Sequence, residues 1–134
     1  MTDLPPFVTG CDVVDVARLG SALDRRPAML QRLFTDREIA DARRGAPIIE
    51  VERARLAARF AAKEAARKAV DDLRLPFHAL EVRSSESGAP QLWLHGARTS
   101  LAVSLSHDAG VAMAVVVGPA SVRTDDLSAP QPST

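Results

Sequence analysis

The sequence predicts a single α+β domain in which an antiparallel sheet packs against one long helix and shorter helices. An apolar run with strand-like alternation lies near the beginning, at about residues 7–16. Helical patterns then dominate to about residue 70, and two hairpin patterns follow Pro76. An order of strand, helices and strands is typical of α+β proteins, and a chain of 134 residues favours one domain.

Composition and charge indicate a soluble globular chain. Hydrophobic residues make up 46% and charged residues 25% of the sequence, and 17 basic residues balance 17 acidic ones. The single cysteine, Cys11, excludes an intrachain disulfide and a cysteine-based metal cluster. Since we find neither a membrane-length apolar run nor a signal-peptide pattern, we expect a cytoplasmic protein. We assign residues 1–119 to the domain and expect the polar tail, residues 120–134, to be disordered.

The predicted first strand runs from Phe7 to about Val16 and carries a carboxylate among apolar residues. Side chains alternate along a strand. One side of this strand bears Val8, Gly10, Asp12, Val14 and Val16. A carboxylate in such a row is hydrogen-bonded, paired, bound to a metal or placed at the solvent-exposed end of the strand. Asp15 points to the other side and can cap the next helix.

Local signals delimit the helices that follow. Asp15 begins a short helix that stops at Pro27, and two short helical pieces lie between residues 28 and 45. Thr35 and Glu38 have the spacing of a capping box at the start of the second piece.

The longest predicted helix runs from about Glu50 to Val70 and separates its residue types into faces. A small-residue face, which permits close packing, bears Ala54, Ala57, Ala58, Ala61, Ala62, Ala65, Ala66 and Ala69. A basic row consists of Arg55, Arg59, Lys63 and Arg67. The row between them is Leu56, Phe60, Glu64 and Lys68. Because that row begins apolar and ends charged, we expect Glu64 at the rim of the core.

Two hairpins complete the predicted domain. In the first, Leu80 and Val82 alternate with polar residues, the chain turns at "SESGA", and "QLWL" returns. In the second, "LAVSLS" is followed by a turn at "HDAG" and by the returning strand "VAMAVVV".

Three features carry candidate chemistry: Asp12, Glu64, and the polar strand end "SLSH" with Ser104, Ser106 and His107. Each has an ordinary structural alternative. Asp12 can bond nearby backbone, Glu64 can pair with Lys68 at i, i+4, and His107 can be a turn residue. The sequence contains no nucleophile elbow, Gly-rich phosphate loop or zinc spacing. Two carboxylates on different elements suit Mg²⁺, which completes its shell with waters and phosphate oxygens, so the pattern favours a phosphate-bearing substrate.

Longer stretches resemble a known family. The segments "GCDVVDVARL", "RLFTDREI", "LAARFAAKEAARKAV", "SGAPQLWL" and "VSLSHDAGVAMAVVV" are similar, in order and spacing, to the holo-acyl-carrier-protein synthases. These enzymes are the short, homotrimeric class of 4′-phosphopantetheinyl transferases, and the similarity is greatest to the actinobacterial members. The resemblance covers about Phe7 to Val117.

The resemblance implies an activity. Such enzymes transfer the phosphopantetheine arm of coenzyme A to a serine of an apo acyl carrier protein, as in fatty-acid synthesis, and release adenosine 3′,5′-bisphosphate. It also implies that Asp12 and Glu64 are ligands of Mg²⁺, for which Mn²⁺ can substitute. Lys68 matches a catalytic lysine on the pyrophosphate. The members are typically homotrimers with active sites between subunits.

The remaining roles that the resemblance implies are binding roles. The residues that match positions of the coenzyme A site are Arg59, Lys63, Lys68, Gly88, Pro90, Ser106 and His107. Arg18 matches a basic residue that docks the acidic carrier protein, and we expect Arg25 and Arg26 to extend that surface. The sequence departs from the family at Val8, where a glycine is usual, and at Ala89, which lacks the charge of the usual lysine. The segment between Trp93 and Val103 is short for the helix that many members have there.

Other functions remain open. One is a family member dedicated to the carrier protein of a secondary metabolite, which the sequence does not separate from a fatty-acid enzyme. A nucleic-acid-binding module is disfavoured by the 4% aromatic content, which leaves few stacking surfaces. A carrier-binding protein without catalysis is disfavoured because both carboxylates are present.

Overall fold

The computed structural model of the protein describes residues 5–123 and has the predicted α+β architecture. The chain begins with β1 (Phe7–Asp15), followed by α1 (Val16–Arg25), α2 (Met29–Leu33), α3 (Asp36–Arg43) and the long α4 (Ile49–Ala69). A 3₁₀ turn (Phe77–Ala79) leads into β2 (Leu80–Ser84), β3 (Pro90–Leu94) and β4 (Ala97–Arg98). The chain continues through β5 (Ala102–Asp108) and β6 (Val111–Pro119) to a second 3₁₀ turn (Ala120–Arg123). None of the helices in residues 5–123 has the length and apolarity that a membrane crossing requires.

The strands form two antiparallel sheets of three strands each, rather than the one sheet that the sequence suggested. The first has the order β1-β6-β5 and joins the two ends of the domain. The second has the order β2-β3-β4. β4 was not predicted, because a strand of two residues has no periodicity to detect.

The alanine face of α4 packs against the first sheet. Ala61, Ala65 and Ala69 are fully buried and belong to one core cluster with Val8 and Val14 of β1. The backbones are closest at Gly10, where a Cβ would lie 2.0 Å from the carbonyl oxygen of Ala65. This position therefore excludes every side chain, which explains the glycine in the middle of a strand.

The local signals for helix starts are confirmed. Asp15 caps α1 by accepting a hydrogen bond from the backbone nitrogen of Arg18, at 2.9 Å. Thr35 and Glu38 form the predicted reciprocal capping box of α3. Glu38 is nevertheless fully buried, which a capping box does not require.

Two predicted boundaries are wrong. His107 and Asp108 belong to β5, and the turn consists only of Ala109 and Gly110, with φ of 50° and 79°. Consecutive positive φ values match the right-handed twist of a hairpin, so the strands continue to within two residues of each other. The expected disordered tail also begins too early, because Ala120–Arg123 forms a 3₁₀ turn that buries Val122. Residues 124–134 of that expected tail lie outside the described part.

We predict that Gly10→Ala destabilises the fold by about 1–3 kcal/mol, because a methyl group cannot fit against the α4 backbone without moving it. The measurement is urea-induced unfolding. The matched control is Gly20→Ala in α1, where the new methyl group meets only the side chain of Arg53 and should have little effect. Equal stability of Gly10→Ala and the native protein would contradict the close contact.

Candidate active site

Asp12 lies on the inner side of β1, as its alternation with Val8, Gly10 and Val14 predicts. Its carboxylate is 19% exposed and pairs with Lys68 of α4, whose Nζ lies 3.1 Å from Oδ1. The same ammonium also donates to the carbonyl oxygen of Cys11, at 3.1 Å. Asp12 is thus held by a charged partner from another element, and the alternative that it only bonds nearby backbone is wrong.

Glu64 lies one helical turn before Lys68 on α4 and is half-buried, at the rim of the core as expected. The alternative pairing with Lys68 is not formed, because that ammonium turns to Asp12 instead. Ala65, the next residue, is the point at which α4 touches Gly10. The close contact therefore places the chain segment of Glu64 beside the strand that carries Asp12.

The donor set suits one kind of metal. No group of three or more His, Cys, Asp or Glu side chains in residues 5–123 is arranged to hold a metal ion by itself. Mg²⁺ typically takes one or two protein carboxylates and completes its octahedral shell with waters and phosphate oxygens. Asp12 and Glu64 offer two carboxylates, and the side chain of Lys68 is 49% exposed and accessible to an anion.

A cavity of about 370 Å³ brings together residues from three separated parts of the chain. Four of them, Arg59, Gly88, Pro90 and His107, are ones that the family resemblance assigned to coenzyme A. They come from α4, from the β2–β3 hairpin and from β5, so the fold brings together residues that are far apart in the sequence. We name this space the nucleotide cavity, after the ligand that the family resemblance implies for these residues.

Arg59 lines the nucleotide cavity, and one N–H donor of its guanidinium has no hydrogen-bond partner in the described residues. Burial lowers the pKa of its guanidinium, and the charges of Asp41 and Glu38 oppose that shift. Its Nη1 donates to the carbonyl oxygen of Arg55 at 3.1 Å. Its Nε is buried and has no hydrogen-bond partner in the described residues. A half-buried guanidinium with an unused donor suits an anionic ligand.

Lys63 does not line the nucleotide cavity, and its assignment to coenzyme A binding is corrected here. The side chain is fully buried and forms an ion pair with the equally buried Glu38. Its Nζ also donates to the carbonyl oxygen of Leu33, at 2.7 Å. Burial lowers the pKa of the Lys63 ammonium, while the charge and hydrogen bond of Glu38 oppose the shift.

Comparison with known proteins decides the family. Residues 9–116 match the model of the 4′-phosphopantetheinyl transferase superfamily. The chain belongs to this superfamily. The resemblance drawn from the sequence motifs is therefore confirmed.

Relatives of this phosphopantetheinyl transferase carry the name holo-[acyl-carrier-protein] synthase. A holo-[acyl-carrier-protein] synthase of Leifsonia xyli is 44% identical over 118 residues, covering 81% of this chain and 92% of the relative. One of Streptomyces griseus is 43% identical over 121 residues, covering 81% and 93%. Both come from actinobacteria, as the motifs indicated.

Solved structures of such transferases share the fold. The Helicobacter pylori holo-[acyl-carrier-protein] synthase in complex with coenzyme A superposes with a TM-score of 0.68 at 30% identity, covering 81% of this chain and 96% of that one. The Bacillus anthracis synthase in complex with coenzyme A (3′,5′-ADP) gives 0.69 at 31% identity, covering 84% and 95%.

Among the polar residues that line the nucleotide cavity, Arg55 and Ser84 were missed by sequence reasoning. Arg55 lies one turn before Arg59 in the same basic row, a signal that was available. Ser104 also lines the cavity, whereas the predicted Ser106 does not. The two serines share one side of β5, so the sequence motif did not distinguish them.

A second cavity of about 560 Å³ adjoins Asp12 on the side of α1. Its lining is largely apolar, with Leu19, Leu33 and Phe60, and Arg18 and Asp12 are among its polar residues. Of the predicted docking residues, Arg18 lines this cavity, and Arg25 and Arg26 are exposed farther along the same helix and at its end.

Proposed function

We propose that the protein transfers the 4′-phosphopantetheine arm of coenzyme A to a serine hydroxyl of an apo acyl carrier protein, with release of adenosine 3′,5′-bisphosphate. The observation that carries the proposal is the pairing of Asp12 with Lys68 beside the β1–α4 contact, on the helix that also lines the nucleotide cavity. The relatives of 40–44% identity bear the name of this activity.

Asp12 and Glu64 are the proposed ligands of Mg²⁺, for which Mn²⁺ can substitute. When bound, the ion supplies positive charge for the phosphate oxygens at the reacting phosphorus. A new bond forms between that phosphorus and the serine oxygen, the bond to the bisphosphate leaving group breaks, and the serine proton passes to a base that we leave unassigned.

Lys68 is proposed to stabilise the pyrophosphate as negative charge develops on the leaving group. Its ammonium is held by Asp12 and by the carbonyl oxygen of Cys11, which fixes its direction in the absence of substrate. Being half-exposed, it can turn part of its donor capacity to a phosphate.

The nucleotide cavity is the proposed site of the adenosine bisphosphate end of coenzyme A. Arg59 offers its half-buried guanidinium to the phosphates, and His107, Gly88 and Pro90 line the same space. Ala89 contributes no charge, so Arg55, whose guanidinium is held by the carbonyl oxygens of Ala42 and Arg44, is the additional cation here. The role of Ser106 stays a prediction.

The carrier protein is proposed to dock on α1 through Arg18, Arg25 and Arg26, with the apolar cavity beside it. Asp15 uses its carboxylate to cap the helix, and Asp24 pairs with Arg53. In the described residues no ion pair engages the guanidinium of Arg18, which leaves it available to an acidic partner. Which carrier protein is the natural substrate, and the cytoplasmic location, stay predictions.

Assembly into a homotrimer with active sites between subunits is proposed from the outer face of the first sheet. Several large apolar side chains are exposed there, on β1 and β6: Phe7, Val13, Val111, Met113 and Val117. Val13 and Met113 are directly paired across the strands and are 60% and 43% exposed. A contiguous apolar sheet face of this kind is typical of an interface.

The function is tested by incubating the protein with coenzyme A, Mg²⁺ and a panel of apo carrier proteins, with mass spectrometry of the carrier. We expect modification of the serine in the presence of Mg²⁺, and we expect EDTA to abolish this modification.

Asp12→Asn and Glu64→Gln should each lower the rate by about a hundredfold or more without unfolding the protein, because each removes a metal-binding charge. Glu52→Gln, on the same helix, is the control. Normal rates in either variant at saturating Mg²⁺ would remove that residue from the metal site.

Arg18→Glu should raise the Michaelis constant for the carrier protein several-fold, equivalent to about 1 kcal/mol, because it reverses a charge in an electrostatic docking surface. The constant for coenzyme A should not change. The effect should shrink with added salt, since exposed charges are screened. Arg98→Glu on β4 is the matched charge reversal outside the proposed surface. An unchanged carrier-protein constant at low salt would exclude Arg18 from docking.

Met113→Glu should reduce the sedimenting mass from three chains to one, because it places a charge in the middle of the proposed apolar interface. Transfer activity should fall with the loss of assembly. Analytical ultracentrifugation measures the first effect, and Arg98→Glu again serves as the control. A native protein that sediments as a single chain at micromolar concentration would rule out the trimer.

A further inference from the structure

Glu38 and Lys63 are the two charged side chains that are fully buried in residues 5–123, and they pair with each other. Removing two charges from water is expensive, and replacing such a pair with apolar residues of similar volume is often neutral or stabilising. Stability alone therefore gives a weak reason for an ion pair at this place. The other bonds of the pair indicate a second role.

These bonds connect four elements. The Oε1 atom of Glu38 accepts from the backbone nitrogen of Thr35 at 2.9 Å, and Oε2 accepts from that of Val82, also at 2.9 Å. Lys63 donates to the carbonyl oxygen of Leu33 at 2.7 Å. One buried pair thus joins the end of α2, the start of α3, the middle of α4 and β2 by directional bonds.

Two of the joined elements form walls of the nucleotide cavity. Val82 and Ser84 contribute to the lining from β2, and Ala58 and Arg59 contribute from α4. Val82 is itself the residue whose backbone Glu38 holds. Arg59 precedes Lys63 by one helical turn. Any shift of β2 relative to α4 at this pair therefore changes the shape of the cavity.

Glu38 also acts electrostatically on Arg59 of the cavity. The carboxylate of Glu38, together with that of Asp41, opposes the lowering of the Arg59 pKa by burial. Glu38 thus contributes to the electrostatic surroundings of the guanidinium, although it does not itself line the cavity.

We propose that Glu38 and Lys63 are positioning residues that hold β2 against α4 so that the nucleotide cavity fits the adenosine bisphosphate end of coenzyme A. The inference rests on the proposed function. The pair sets the geometry of groups that contact the ligand and does not itself contact it.

Single substitutions do not separate this role from stability, because each leaves a buried charge without its partner. The test variant is therefore the double substitution Glu38→Gln with Lys63→Met. It removes both charges together, retains an amide oxygen that can accept from Val82, and keeps the side chains near their native volumes. The matched control is Arg43→Met with Glu52→Gln, a half-exposed ion pair that also joins α3 to α4 but does not reach β2.

The main measurement is the dissociation constant of adenosine 3′,5′-bisphosphate by isothermal titration calorimetry, with thermal unfolding to establish that each variant is folded. In the folded double variant we expect binding to weaken about tenfold, since small displacements of positioning groups have effects of this size or larger. The Michaelis constant for coenzyme A should rise in parallel, while that for the carrier protein stays within about twofold of native. The control pair should change none of these constants.

A folded double variant with native affinity for the bisphosphate would overturn the proposal. If the double variant does not fold, Lys63→Arg decides, because it keeps the charge but places a larger head group in the same buried space. Weaker bisphosphate binding by folded Lys63→Arg supports the proposal, and native affinity overturns it. Failure of the native protein to modify any carrier protein would instead overturn the proposed function, and the two failures are thereby distinguished.

Discussion

The contact between Gly10 and the backbone of α4 is the constraint on which the rest of the site depends. Because a side chain at position 10 would lie 2.0 Å from the carbonyl oxygen of Ala65, strand and helix touch with no side chain between them. Alanines on the helix complete this contact. Each buries little apolar area, so their main effect is to let the helix approach the strand closely rather than to contribute a large hydrophobic free energy. Asp12, Glu64 and Lys68 lie next to this contact, and it lets Lys68 of α4 pair with Asp12 of β1.

The two lysines of α4 differ in burial and therefore in what their ammonium groups can do. Lys63 and Lys68 are five residues apart on one helix, yet the first is fully buried with Glu38 and the second is half-exposed beside Asp12. A buried ammonium satisfied by a carboxylate and a carbonyl oxygen is a fixed structural group. An ammonium with the same chemistry at the surface can exchange part of its bonding for a phosphate.

The sequence predicted features that depend on local pattern and missed those that depend on distant partners. The inward position of Asp12, the caps at Asp15 and Thr35, and the alanine face of α4 follow from periodicity and short-range spacing. The burial of Lys63 does not, because it requires Glu38 to arrive from a helix 25 residues earlier, and both residues look like ordinary surface charges in the sequence. The extension of β5 through Asp108 was missed because the turn consists of Ala109 and Gly110, and this pair lacks the Asn-Gly or Asp-Gly signal of two-residue turns.

The two faces of β1 have different surroundings, so the register of this strand is tightly constrained. The inner residues Val8, Gly10 and Asp12 face α4, while Cys11 and Val13 point to the exposed apolar face. A slip of one residue would move every side chain to the opposite face. Asp12 would then enter the apolar face, and the side chain of Cys11 or Thr9 would meet the α4 backbone where only glycine fits. The same glycine that brings strand and helix together therefore also fixes which carboxylate faces the site.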